Sequence, residues 1–278
     1  MAKDSKIEWT HHTFNPWWGC AKVSPACQHC YAEAWAKRVG SAVWGKSSPR
    51  RFFGDSHWKE PLRWNREAEE GATRRRVFCA SMADVFERRA ELHEWRERLW
   101  EIIDATPALD WLLLTKRPHN VAAMARWGNQ WPENVWLAGT AENQTWADKR
   151  IPALLKIPAR VRLLSCEPLL GPLDLGRYLS SESQRSIHWV IAGGERGAHY
   201  RPMKPEWVRD LRNQCQCSNA AFHFKQWGHW VPEELLTEHQ RKVIVLDGHR
   251  LAAAGKGKAG RMLDGRTWDE LPVGFGGA

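Results

Sequence analysis

The sequence predicts an α/β fold, a partial or complete parallel (β/α) barrel of about six to seven units with a C-terminal extension. Three observations predict it. Apolar runs of about five residues recur along the chain, near-continuous rather than alternating, as strands covered on both faces are. Helix-compatible segments separate most of them, and that many units in series fit a barrel better than a short open sheet. Polar residues gather directly after each run, where parallel α/β folds place their chemistry. A doubly wound open sheet is the alternative.

Residues 13–19 (Thr-Phe-Asn-Pro-Trp-Trp-Gly) read as the first strand, followed by a cysteine-bearing loop and a helix from Tyr31 to Val39. Residues 40–75 form a basic insertion, rich in Gly, Ser, Pro and Arg, with a short helix near Pro61–Glu70 and the runs Arg50-Arg51 and Arg74-Arg75-Arg76. Strands are then expected at 77–81, 111–115, 135–139, 161–165, 188–192 and 221–225. Helices are expected at 92–104, 120–127, 144–156 and 204–214. Residues 1–228 thus make the barrel. Residues 229–278, Gly-rich and basic with few strand signals, read as a partly irregular extension over its mouth.

The net charge of +9 favours a polyanionic partner, nucleic acid first. Most of the 19 tryptophans belong to core and rim, and some are available to stack on bases. The first ten residues lack the apolar core of a secretory signal. No apolar run approaches the roughly 18 residues of a membrane span, so no membrane association is expected. Seven cysteines, three of them clustered, fit reduced thiols in the cytoplasm rather than a disulfide framework.

The cluster is Cys20-x6-Cys27-x2-Cys30. Thiolates are soft ligands for zinc or for iron–sulfur clusters. A closed zinc site wants four ligands, and His29 is the one nearby candidate for a fourth. Three thiolates with no fourth suit a cubane cluster with one iron left open. Cys79 and Cys166, in or beside strands, read as small core residues. Cys215 and Cys217 are too few to hold a second cluster. The strand-end stretches supply Ser81 and Asp84, Lys116 and Arg117, Thr140, Glu142 and Asn143, Glu167, Gly193-Gly194-Glu195-Arg196, and Lys225 and Gln226. Asp84 and Asn143 are equally placed to cap the helices that follow.

A cysteine loop directly after a first strand and before a first helix resembles that of the radical S-adenosylmethionine enzymes. Their first gap is usually three residues where this one is six. The Cys30-Tyr31-Ala32 continuation is similar to the branch containing spore photoproduct lyase, which works on thymine in DNA. Over residues 7–230 the chain resembles, more closely, a phage and prophage family known only as three-cysteine-motif proteins of unknown function. The stretches that carry this include Phe14-Asn15-Pro16-Trp17, Ser81-Met82-Ala83-Asp84-Val85-Phe86, Leu114-Thr115-Lys116-Arg117-Pro118, Glu167-Pro168-Leu169-Leu170-Gly171 and Phe224-Lys225-Gln226-Trp227-Gly228.

The resemblance implies that Cys20, Cys27 and Cys30 hold a [4Fe–4S] cluster. S-adenosyl-L-methionine chelates the open iron, and electron transfer yields a 5′-deoxyadenosyl radical that abstracts hydrogen from an unactivated carbon. It places His29 beside the adenine, with Tyr31 also on the cofactor side. By rim position Ser81, Asp84, Thr140, Glu142 and Asn143 are candidates for the ribose or methionine groups. Lys116, Arg117, Arg201 and Lys225 are candidates for an anionic substrate, phosphate by preference, and Glu167, Glu195 and Gln226 join them on the substrate side. The implied reaction is an isomerase- or lyase-type modification of a thymine in phage DNA, on a flipped-out base. It needs a reducing partner such as flavodoxin or ferredoxin, in the cytoplasm of a bacterial host. Two alternatives stand beside it: a zinc- or cluster-bearing nucleic-acid-binding module without catalysis, and a radical enzyme acting on a peptide or small molecule.

Overall fold

The computed structural model describes residues 3–179, 185–197, 199–236, 242–254 and 259–272. Seven strands form one parallel sheet in chain order: β1 (His12–Phe14), β2 (Arg75–Cys79), β3 (Leu109–Thr115), β4 (Val135–Thr140), β5 (Arg162–Cys166), β6 (Trp189–Gly193) and β7 (Ala221–Gln226). The sheet curls into a half-barrel, the partial form of the expected fold. The helices are α1 (Tyr31–Arg38), α2 (Asp55–Glu70), α3 (His93–Asp104), α4 (Val121–Met124), α5 (Gln144–Leu155) and α6 (Pro205–Cys217).

Both faces of the sheet are buried, which is why its strands read as continuous apolar runs. Side chains alternate between faces. Val77, Cys79, Trp111, Leu113, Val135, Leu137, Leu164, Val190, Phe222 and Phe224 join the core beneath the helices. Phe78, Leu112, Trp136, Ala138, Leu163, Trp189, Ile191 and Ala221 point into the curl and pack with Trp9 in a second core. This inner core fills the bottom of the half-barrel. Toward the strand ends the inward positions turn polar, and that switch opens a cavity at the top. On the helix side, α5 buries Ala147, Arg150, Ile151 and Leu154, and α6 buries Val208, Leu211 and Cys215, at the three- and four-residue spacing of one helical face. Eight tryptophans are among the fully buried side chains, as core-forming residues.

Beyond shifts of up to three residues at element ends, those of β2 and α6 among them, four elements differ from their expected form. β1 ends at Phe14, because the Asn15 side chain turns away to accept the Met82 N–H at 2.7 Å and Pro16 cannot extend a ladder. α2 begins at Asp55, two turns before the expected Pro61. Pro61 sits inside the helix and is buried, with Trp58 and Trp64 anchoring the helix on either side of it. α4 is a single turn after a 3-10 turn at Pro118–Asn120. The C-terminal extension carries a three-stranded antiparallel sheet in the order β8 (Trp230–Pro232), β10 (His249–Ala253), β9 (Val243–Leu246). The tight β9–β10 turn is Asp247-Gly248, both at positive φ, a type I′ pattern.

The extension also covers the free edge of β7. Phe224 donates its N–H to Trp268 O (2.9 Å), Glu270 donates to Phe222 O (3.2 Å), and His223 bridges Asp269 in antiparallel register. An edge strand thereby loses its row of unpaired backbone groups.

Candidate active site

The top of the half-barrel holds a cavity of about 400 Å³, within the roughly 300–1,000 Å³ of small-molecule sites. Cys20, Cys27 and Cys30 all line it, together with strand-end residues from β2 to β7. The three thiols are half-buried and none is in a disulfide.

The cysteine loop is tied to four strand ends. Arg117, after β3, donates to Ala21 O (2.8 Å) and approaches Cys20 Sγ at 3.7 Å. Glu142, after β4, accepts the Ala26 N–H at 3.2 Å. Glu195, after β6, meets His29 Nδ1 at 3.2 Å. Arg201 binds Glu195 through its backbone N–H (2.8 Å) and Nε (2.9 Å), then donates to Pro25 O at 3.0 Å. Tyr31 donates its hydroxyl to Ser81 O, after β2, at 3.0 Å. The six-residue gap between Cys20 and Cys27 has a use here. It forms a 3-10 turn at Pro25–Cys27, closed by Cys27 N–H to Ser24 O, and that turn carries Ala26 down to Glu142.

Behind the loop lies a buried ion network. Asp84 accepts from Thr115 Oγ1 (2.7 Å), Lys116 N–H (3.0 Å), Phe86 N–H (3.1 Å) and Arg117 Nη1 (2.8 Å). Arg117 also lies 4.0 Å from Glu87, which pairs with Arg50 at 2.7 Å. Arg50, with no side-chain exposure, donates to the Val43 and Ser48 carbonyls and so fixes the start of the basic insertion. Gly19 lies against this loop: a Cβ there would meet Val43 O at 2.4 Å, and its φ is +116°.

These contacts sort the expected site residues. Ser81, Asp84 and Thr140 line the cavity with His29 and Tyr31. Asp84 is wholly engaged in holding Arg117 and the β3 end, so its carboxylate acts as a structural anchor. Glu142 is buried and joined to Arg150 at 2.8 Å. Burial opposes its charge, but hydrogen bonds from Ser24 and Ala26 and the Arg150 charge keep its carboxyl below the usual range. Asn143 caps α5, accepting the Trp146 N–H, and stands outside the cavity lining. Arg117 and Arg201, expected to face an anion, instead hold the cysteine loop. Lys225 donates to Glu167 at 2.6 Å, and Gln226 donates to the same carboxylate at 3.1 Å and to Gly194 O at 3.0 Å. Against the opposing effect of burial, Lys225 holds the Glu167 carboxyl below its usual range, and Arg196 and Gln226 assist. Glu195 is likewise held low by Arg201 and His29 despite burial. Lys116 lines the cavity without a hydrogen bond or ion pair from its ammonium to any described residue.

The sequence reading missed Glu87, Arg150 and Trp44, and named Arg50 only within a basic run. Trp44 lines the cavity from the insertion, and no local motif marks it.

The donor set of the cavity is three free thiols. Among the described residues no three His, Cys, Asp or Glu side chains converge on a single ion, and His29 is turned to Glu195. A cubane spreads its thiolates over three separate irons, and so takes wider spacing than zinc does. Burial pushes the Cys20 thiol up to about 12, with Asp84 adding to the rise and Arg117 opposing it. Burial raises Cys30 as well. Such thiols ionise when a cation binds the sulfur.

Fold and site together define a half-barrel protein whose three-cysteine loop closes over its strand ends. Residues 4–272 match a family described as protein of unknown function (DUF5131), and the chain belongs to that family. No curated protein matches the sequence. The chain is similar, at 13% identity, to a double mutant of spore photoproduct lyase with bound AdoMet and dinucleoside spore photoproduct, with a TM-score of 0.46 over 90% of this chain and 70% of that one. A second spore photoproduct lyase mutant gives 13% identity and a TM-score of 0.46, over 91% and 71%.

Proposed function

We propose that the protein is a radical S-adenosylmethionine enzyme, with a [4Fe–4S] cluster on Cys20, Cys27 and Cys30, that modifies a nucleobase in DNA. The observation that carries the reading is the convergence of three free thiols on one cavity, on a loop pinned at four strand ends. When bound, the cluster and S-adenosyl-L-methionine supply one-electron chemistry able to remove hydrogen from an unactivated carbon.

The chain's own residues supply position and shielding. The Arg117, Glu142 and Glu195–Arg201 ties fix the loop relative to the strand ends, so a cofactor on its thiolates faces the polar inner wall. The apolar floor beneath, with Trp9, Phe78 and Leu114 in the lining, keeps water from the reacting carbon. Thr140, Ser165 and Ser81 offer neutral hydroxyls to sugar or amino-acid groups. Lys116 offers an unpaired cation near Cys30. The net charge of +9 supports a polyanionic substrate, and an electron donor such as flavodoxin or ferredoxin completes the system in a bacterial cytoplasm.

The test is anaerobic reconstitution, followed by incubation with reductant, S-adenosyl-L-methionine and thymine-modified phage DNA. About four irons and four sulfides per chain are expected, with 5′-deoxyadenosine formed and salt-sensitive DNA retention. A full cluster that never cleaves the cofactor sinks the reading. One zinc per chain and no iron replaces it with a binding module. Cleavage with no DNA retention moves the substrate to a peptide or small molecule.

A further inference from the structure

Six basic side chains line the cavity, and they fall into two sets. Lys22 pairs with Glu33, Arg117 with Asp84 and Lys225 with Glu167. Lys6, Lys116 and Arg196 have no carboxylate partner among the described residues. Lys6 is exposed at the floor end, and Lys116 stands near Cys30. Arg196 differs from both. Its Nε is buried with no hydrogen-bond partner among the described residues, and its guanidinium makes no ion pair with any of them. An unsatisfied buried donor is costly, and here the donor lies on a residue that lines a cavity.

Backbone packing fixes where Arg196 stands. It follows Gly193-Gly194-Glu195 at the end of β6. A Cβ on Gly194 would meet Trp227 O at 1.9 Å, so the chain is pressed against the end of β7. Glu195 is locked by Arg201 and His29. Arg196 therefore leaves a rigid corner, close enough to Glu167 and Tyr31 to influence both electrostatically. On the same wall the buried Gln226 holds Glu167 through Nε2, and its own Oε1 has no partner. The Nε side of a guanidinium presents two parallel N–H groups, spaced for two oxygens of one oxyanion.

We propose that Arg196 is the oxyanion receptor of this cavity and binds a phosphodiester of the substrate strand on the wall it shares with Glu167. The site rests on the nucleic-acid reading above and narrows it to a substrate bearing a phosphate next to the reacting nucleoside. Arg117, Arg201 and Lys225 are excluded from this role because their own carboxylates and carbonyls occupy them. A cofactor carboxylate has the same chemistry as a phosphate oxygen pair, so the test carries an arm for each.

The full chain is loaded with iron and sulfide anaerobically. It is then titrated with the thymidine dinucleotide TpT, with its uncharged methylphosphonate analogue, and separately with S-adenosyl-L-methionine. The expected result is tighter binding of TpT than of the analogue by about tenfold or more, the worth of one charge-assisted contact. Arg196→Gln is expected to reduce that ratio to near one, and Arg196→Lys to restore part of it, with S-adenosyl-L-methionine affinity unchanged in both. A ratio near one in the unsubstituted protein, absence of TpT binding, or a ratio that survives Arg196→Gln overturns the proposal. A loss confined to S-adenosyl-L-methionine also overturns it, and reassigns Arg196 to the cofactor carboxylate. If the chain takes up no iron yet keeps the Arg196-dependent preference, the radical reading falls and the phosphate site stands.

Discussion

Arg117 is the residue whose loss the structure makes most consequential. Replace it with Gln. Its side chain is 8% exposed and that of its partner Asp84 7%, at 2.8 Å. Breaking a buried pair by removing one partner costs about 3–5 kcal/mol. The low end applies, because Asp84 keeps three neutral donors: the Thr115 hydroxyl and the Lys116 and Phe86 amides. The Ala21 carbonyl also loses its guanidinium contact. A loss of about 3 kcal/mol corresponds to a drop in melting temperature of roughly 6–12 °C for a chain of this size.

Two assays read it: thermal unfolding followed by circular dichroism, and iron and sulfide counts after anaerobic reconstitution. Both fall in Arg117→Gln, because the same side chain holds the Cys20 end of the loop. Arg117→Lys keeps the charge but lacks the fork that spans Asp84 and Ala21 at once, so stability recovers more than iron content does. Asp84→Asn in the Arg117→Gln background adds little further loss, since the two residues are in contact and their effects are non-additive. A fall in melting temperature below about 2 °C together with full iron loading refutes the view that Arg117 anchors the loop.

Ala substitutions at Cys20, Cys27 or Cys30 each abolish normal iron loading, whereas Cys217→Ser, at an exposed position outside the cavity, leaves it intact; iron analysis checks both. Glu195→Gln destabilises the protein at neutral pH, and the gap to the unsubstituted chain closes in acid. The carboxyl is held below its usual value in the folded state, so its contribution is present above the ordinary range of roughly 4.3 and is lost as pH falls through the folded value. Denaturation curves at stepped pH read that closure. His223, 2% exposed, titrates at about 4, chiefly through burial and then through the Arg261 charge. The unfolded chain therefore binds the extra proton first, and stability falls as pH drops from about 6.5 toward 4; His223→Gln flattens that slope. Gly194→Ala forces a methyl into Trp227 O and lowers the melting temperature more than Gly40→Ala, whose Cβ would meet nothing within 4 Å though its φ is also positive.

The parallel half-barrel was legible because both faces of the sheet are buried, and runs such as Trp111-Leu112-Leu113 are the direct imprint of that burial. The rim was legible for a related reason: polar residues begin where the inward positions stop filling the core. The first two turns of α2 were hidden by Pro61, a residue that normally marks a helix start. The small C-terminal sheet was hidden by short strands with exposed positions such as Val245, although Asp247-Gly248 carried its turn signal. Individual roles at the rim were the least legible part. Whether an arginine faces a ligand or a carboxylate depends on residues far away in sequence: Arg117 on Asp84, Arg201 on both Glu195 and the Pro25 carbonyl, Lys225 on Glu167.

That pairing has a consequence for how the net charge is used. The rim alternates acids and bases, and most of them neutralise each other while holding the backbone in place. Asp84 with Arg117, Glu142 with Arg150, Glu195 with Arg201 and Glu167 with Lys225 form four such pairs across the strand ends. The first three fasten the cysteine loop. The fourth shapes the wall next to Arg196. Ionic groups in this position give geometric definition at little net gain in stability, and here they hold a loop that presents three thiols to one cavity. The cavity cations left without a carboxylate partner among the described residues, Lys6, Lys116 and Arg196, are then the ones free to meet charge brought in from outside. A strand of nucleic acid brings such charge at every nucleotide, and the buried Nε of Arg196 is placed to take up one unit of it.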